Sequence, residues 1–269
     1  MLLKSNGNLS RFILKLLLPI KYPKLLLSFV VLFLLIACKA VTITDYLNLP
    51  ATPFDYGINL PSYFTANAGG GLPTSINGTD NTPATNPTTD NGATLGRVLF
   101  YDKNLSINRT IACASCHKQE EGFSDSRILS FGFEGGTTRR HSMTLINAVY
   151  YQRGRFFWDE RASTLEEQVL EPFQDPVEMG LSEAQIAERV SQQPYYSDLF
   201  VKAFGDNEIT NDRISKALAQ FVRSIVSYKS KYDLGRSIVN APGINFANFT
   251  DLENQGKQLF LRPLNNGGA

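Results

Sequence analysis

Two thiols and an imidazole stand within five residues of one another, as Cys113-Ala114-Ser115-Cys116-His117. In a helical turn, thiols three positions apart reach the two vinyl groups on one edge of a porphyrin, and the next residue aims its imidazole at the iron. This is the pattern of covalent c-type haem attachment. Three other chemistries compete for it. A structural zinc site wants two further ligands with ordered spacing, and of the two histidines in the chain only His141 remains. A thioredoxin-type redox pair closes a strand and opens a helix inside a βαβ unit, and no such unit is visible. A plain disulfide suits an oxidising compartment but leaves His117 without a role. The expected cofactor is haem c, bound through Cys113 and Cys116, with His117 as the axial ligand of the iron.

The rest of the chain has to export, mature and position that motif. It has 269 residues, 43% hydrophobic and 19% charged, which excludes collagen, an acidic disordered tail and a coiled coil. Residues 1–37 hold Lys4, Arg11, Lys15, Lys21 and Lys24 and no acid, so the remainder carries 21 basic against 25 acidic residues. Without a clustered basic face, no nucleic acid is expected as a partner. Leu25 to Ala37 is a nearly all-apolar run of 13 residues behind two lysines, the length of a signal-peptide core and too short to cross a membrane. Its end, Leu35-Ile36-Ala37-Cys38, resembles the lipobox of bacterial lipoproteins. That resemblance makes Cys38 the lipidated first residue of the mature chain, in the periplasm and anchored to a membrane.

A tether is expected over residues 38–92, because 23 of the 28 residues from Thr65 to Gly92 are Thr, Asn, Gly, Pro, Ser or Asp, too few apolar groups to offset ordering entropy. Beyond it the pattern turns helical. A short helix is expected over Ala93 to Tyr101. Ser163 and Glu166 read as a capping box opening a helix through Leu170, and Ser182 with Glu183 opens another through Val190. Ile214, Leu218, Phe221 and Ile225 form one apolar stripe on a helix from Asn211 to Tyr228, with Arg213, Lys216 and Arg223 on the opposite face. Thr250 and Glu253 box the start of a helix over Asp251 to Phe260. The fold class is therefore mostly α: a helical, cytochrome c-like haem domain with long loops over residues 93–235, preceded by a signal peptide and a disordered linker.

Around the haem motif stand Leu95-Gly96-Arg97-Val98-Leu99-Phe100-Tyr101-Asp102, Phe157-Trp158-Asp159-Glu160-Arg161-Ala162, Leu165-Glu166-Glu167-Gln168 and Pro176-Val177-Glu178-Met179. In order and spacing these blocks resemble the bacterial di-haem cytochrome c peroxidases and their methylamine-utilisation relatives, from about Gly92 to the end. The resemblance implies that the first haem is the peroxidatic one. It places Gln168 and Glu178 over the peroxide-binding face and Trp158 between two haems as an electron-transfer bridge. The chemistry agrees for Glu178: splitting a peroxide needs a proton to leave the iron-bound oxygen and reach the departing one, and one carboxylate can serve as base and then acid. Gln168, which cannot titrate, would orient the peroxide by donating a hydrogen bond. For Trp158, a packed core position is also compatible with the residue type.

Three departures from the family pattern stand out. Relatives that need reductive activation place a distal His in the loop after the haem motif, where Phe133 aligns here, so a five-coordinate first haem is expected. His141 replaces an Asn that contributes to a calcium site, and imidazole is a poor calcium ligand, which puts calcium in doubt. Gly256, Leu259 and Phe260 match the opening helix of a second haem domain, so residues 236–269 are expected to begin a truncated second domain, with one haem here and two in the full-length protein. The expected function is a periplasmic peroxidase that reduces hydrogen peroxide to water with electrons from a small cytochrome or copper protein. Oxidative modification of the methylamine-utilisation type and mono-haem electron carriage are the alternatives.

Overall fold

The computed structural model describes residues 47–65, 76 and 78–262, so the expected signal sequence and Cys38 lie outside the described residues. Leu49–Ala269 clusters as one compact unit. It is mostly helical: α1 Ser62–Thr65, α2 Asp90–Tyr101, α3 Cys113–Cys116, α4 Leu165–Gln168, α5 Glu171–Gln174, α6 Glu183–Ser191, α7 Tyr195–Phe204, α8 Asn211–Ser224, α9 Lys231–Arg236 and α10 Asp251–Phe260. Among the described residues the β pairing is limited to three isolated antiparallel bridges.

The core is the crossing of α2 and α8. Ile214, Leu218 and Phe221 are buried as their spacing predicts, facing Leu95, Leu99 and Phe100, and the Phe100 and Phe221 rings meet edge to face at 5.2 Å. Gly96 sets how near the helices come, since a Cβ there would lie 1.9 Å from the carbonyl oxygen of Ala217. That neighbour is backbone and cannot turn aside. Gly96→Ala should therefore force the helices apart, at a cost of about 1–3 kcal/mol or more. The melting temperature should fall by several degrees in a thermal melt, and an unchanged one would contradict this packing.

Composition misleads at the segment read as a tether. Its last third is docked: Asn81 donates to the Ala148 carbonyl at 2.8 Å, and buried Asn86 donates to Glu166 Oε1 at 2.7 Å. Thr89 accepts from Gly92 N at 3.0 Å and caps α2, which starts three residues before the predicted Ala93. Small polar residues disfavour a core only when unpaired, and here Gln220 supplies both halves. Its Nε2 donates to Asn86 at 2.8 Å, while its Oε1 accepts from the Thr89 amide at 2.9 Å.

Arg223 was expected on the polar face of α8 but is 2% exposed. It makes a two-pronged ion pair with Glu166 at 2.7 and 2.9 Å. Glu166 is thus spent inward, and the cap of α4 is Thr164, which accepts from Glu167 N at 3.1 Å, one residue later than predicted. The helix also stops at Gln168 rather than Leu170. α8 ends at Ser224, four residues short of Tyr228. There the Ser224 hydroxyl donates to the Phe221 carbonyl at 2.6 Å, and beyond it the Ile225 carbonyl accepts from Asn147 N at 2.9 Å. The Thr250–Glu253 box forms as predicted, with reciprocal bonds of 3.2 and 2.7 Å. α9, capped by Ser230 and Asp233, was not predicted.

Candidate functional site

The single turn α3 presents the haem motif. The Ser115 hydroxyl accepts from Ala112 N at 3.0 Å at its start, and His117 N donates to the Cys113 carbonyl at 2.9 Å at its end, so both thiols and the imidazole belong to one turn. Cys113 and Cys116 are free thiols. His117 Nδ1 lies 3.0 Å from the carbonyl of Phe123. A carbonyl only accepts, so Nδ1 carries the hydrogen; the Met143 backbone is a second partner of the ring, and Nε2 is the nitrogen that a metal would take. Burial also lowers the His117 pKa, which favours the neutral, ligating ring.

The turn that offers this carbonyl is tightly built. Gly122 and Phe123 both have positive φ, and Lys118 N donates to the Ser124 carbonyl at 2.8 Å. Behind it lies buried Asp125. Burial opposes its charge, yet Arg127, Lys118 at 2.9 Å and Ser130 at 2.8 Å hold the carboxyl far below the usual range. Neither the Phe123 partner nor the Asp125 cluster was picked out from sequence. The Glu120-Glu121-Gly122 run after the motif marks a turn, but a carbonyl acceptor has no residue-type signature.

Cys113, Cys116, His117, Trp158, Gln168 and Glu178 all line one cavity of about 860 Å³. That is towards the upper end of the roughly 300–1,000 Å³ usual for small-molecule and cofactor sites. Phe100, Leu218 and Val222 extend its wall to the α2–α8 core. A planar apolar macrocycle fits such a lining, which includes the paired thiols and the His117 imidazole.

On the cavity wall, Glu178 is held by its backbone. Asp175 Oδ1 accepts from Val177 N at 2.8 Å and from Glu178 N at 3.2 Å, and Phe133 N donates to the Glu178 carbonyl at 3.1 Å. Gly132 permits this approach, because a Cβ there would lie 1.6 Å from the Val177 carbonyl oxygen. Phe133 thus supports the Glu178 turn, its ring packed against Gly180, and does not line the cavity. The Glu178 carboxyl makes no hydrogen bond among the described residues. Its pKa is raised to about 7 by burial, with Asp175 adding to the rise and Arg161 opposing it. The Gln168 amide is likewise unpaired among these residues.

Trp158 is not a core aromatic; it is 58% exposed at the cavity rim. One bond fixes it, from Nε1 to the His141 carbonyl at 2.9 Å. Its neighbour Phe157 has a φ of 69°, a left-handed conformation that costs a bulky residue on the order of 1–3 kcal/mol. The Arg161 guanidinium covers the Phe157 ring at 3.5 Å. Both ring nitrogens of His141 have protein partners, so it is a hydrogen-bonded residue rather than a waiting ligand.

Fold and site together define a helical c-type haem domain with ionisable and amide groups on its cavity wall. The family described as "Di-haem cytochrome c peroxidase" matches residues 90–236, more than half the chain, and the chain belongs to that family. It is 38% identical over 151 residues to methylamine utilization protein MauG of Methylophilus methylotrophus and, over the same length, to cytochrome c551 peroxidase of Nitrosomonas europaea. Each match covers 56% of this chain and 44% of the relative, so the chain spans less than half the length of these relatives. Among solved structures, a MauG-like protein associated with microbial copper homeostasis matches with a TM-score of 0.58 and 34% identity, over 67% of this chain and 51% of that one. The diheme peroxidase BthA from Burkholderia thailandensis E264 matches with a TM-score of 0.54 and 26% identity, over 66% of this chain and 48% of that one.

Proposed function

We propose that this chain is the peroxide-reacting part of a periplasmic cytochrome c peroxidase, reducing hydrogen peroxide to water with electrons from a small cytochrome or copper protein. The observation that carries the reading is a half-buried carboxyl titrating near neutrality, Glu178, in one cavity with Cys113, Cys116 and His117. Cys113 and Cys116 would hold the haem through thioethers and His117 would ligate its iron, and the bound haem would supply the redox chemistry. Glu178 takes a proton from the near oxygen of the peroxide at its carboxylate and returns it to the departing one. Gln168 donates from its amide to orient the peroxide and steady the charge that develops. Trp158, exposed at the rim, is the electron-transfer bridge toward the second haem.

Lipidation of Cys38 and anchoring to a membrane are part of the same proposal. One haem belongs to this chain, and the two expected of the whole protein require a second motif outside these residues. No group of three or more His, Cys, Asp or Glu among the described residues could hold a metal ion, and calcium also takes carbonyl and water oxygens, which such a group does not count.

Peroxide consumption by the matured holoprotein, with reduced cytochrome c as donor, tests the proposal. Steady turnover is expected. No turnover, with the haem attached, favours the modifying enzyme, a reading that the identity to MauG keeps in view.

A further inference from the structure

Among the groups that this peroxide chemistry leaves idle, His141 is the most completely tied. Its Nδ1 lies 3.1 Å from the Arg127 carbonyl and 3.2 Å from the Ile128 carbonyl. Both oxygens only accept, so Nδ1 carries a hydrogen and donates to the pair. Ser124 Oγ lies 3.1 Å from its Nε2 and 2.6 Å from the Ser142 carbonyl, so the single hydroxyl hydrogen is shared between these two acceptors. From its backbone, the His141 carbonyl accepts the indole hydrogen of Trp158 at 2.9 Å.

These bonds join two parts of the site that lie far apart in sequence. Ser124 follows Phe123, whose carbonyl holds His117 Nδ1, and the Ser124 carbonyl accepts from Lys118, the residue after His117. On the other side, Trp158 lacks the packing that would fix an indole, with 58% of its surface exposed and Phe157 beside it in a left-handed conformation. We propose that His141 is a positioning residue, a clamp that sets the turn behind the haem ligand and the orientation of Trp158 together. The inference rests on the haem reading for its first half only. A bridging cation could gather the same loop by its carbonyls. Here the imidazole hydrogen occupies the carbonyls of Arg127 and Ile128.

The test is resonance Raman on the matured holoprotein. Trp158 is the single tryptophan of the chain, so the band sensitive to indole N–H bonding reports on it alone. In the ferrous state, the iron–histidine stretch reports the hydrogen bond of His117 Nδ1. His141→Ala keeps the backbone carbonyl that Trp158 uses, so a residue with no positioning role leaves both bands in place. The expected result is a tryptophan band moved toward its unbonded position and an iron–histidine band shifted down. His141→Asn, whose amide still donates to the two carbonyls, should retain the tryptophan band. Treatment of the parent protein with EGTA should move neither. Unmoved bands in His141→Ala overturn the proposal, as does a parent tryptophan band that shifts with EGTA and returns with calcium. Should His141→Ala fail to fold, His141→Gln, which lacks a donor at the Nδ1 position, takes its place. If no haem attaches at all, the haem reading fails, while the tryptophan band of the same samples still decides the clamp.

Discussion

Glu178→Gln is expected to slow the reaction of the holoprotein with peroxide by about 10²–10⁴-fold, the usual worth of a positioned acid/base group, while the haem spectrum stays as it is. Glutamine keeps the size and polarity of the side chain, so the cavity and the Asp175–Glu178 turn survive; what it loses is the proton. Burial raises the carboxyl to about 7, which leaves both protonation states populated near neutral pH. The parent rate should rise through that pH as the carboxylate forms, and the inflection should vanish in the variant. Stability moves the opposite way. A carboxyl whose folded pKa stands above the 4.5 of a free glutamate favours folding in its neutral form, so its contribution is complete at low pH and is lost as pH climbs from 4.5 through about 7. Above pH 7 the variant should therefore melt higher than the parent, and near pH 4 the two should coincide. Stopped-flow spectroscopy and thermal melts at both pH values check this. An unchanged rate removes Glu178 from the chemistry.

Replacing both Cys113 and Cys116 with serine is expected to abolish covalent haem, and with it all peroxide turnover. The two thiols sit on one turn whose closure also delivers His117. Serine keeps the turn but cannot form the thioethers. With one cysteine left, a single link should persist and the cofactor should be poorly retained. His117→Ala should have the complementary effect, haem attached but its iron released from the Phe123-oriented imidazole. Mass spectrometry reads attachment directly, and extraction into acidified organic solvent separates the cases. Haem that resists extraction from the double serine variant would place the attachment elsewhere.

The site was legible in the sequence because its residue types are rare and their spacing is tied to the shape of a porphyrin. Cys113, Cys116 and His117 needed no structure to be singled out, and Gln168, Glu178 and Trp158 came with the blocks that the chain shares with a known family. The α8 stripe of Ile214, Leu218 and Phe221 was legible through its period, which only a helix satisfies. What stayed hidden depends on pairing rather than type. Arg223 looks like a surface residue until Glu166 is found across from it, and Asn81, Asn86 and Thr89 look like tether until Gln220 and Ala148 are seen to bind them. Composition counts polar groups but cannot say which are satisfied. Phe133 is a further case: alignment assigns it a ligand position, whereas its ring packs on Gly180 and its amide holds Glu178.

The central claim is an iron bound by His117 alone, with its other side open toward Glu178. Electron paramagnetic resonance of the oxidised, matured holoprotein addresses it most directly. A high-spin ferric signal from the haem on Cys113 and Cys116 is the expected result; a spectrum with low-spin signals only, from iron capped by side chains on both faces, would contradict it.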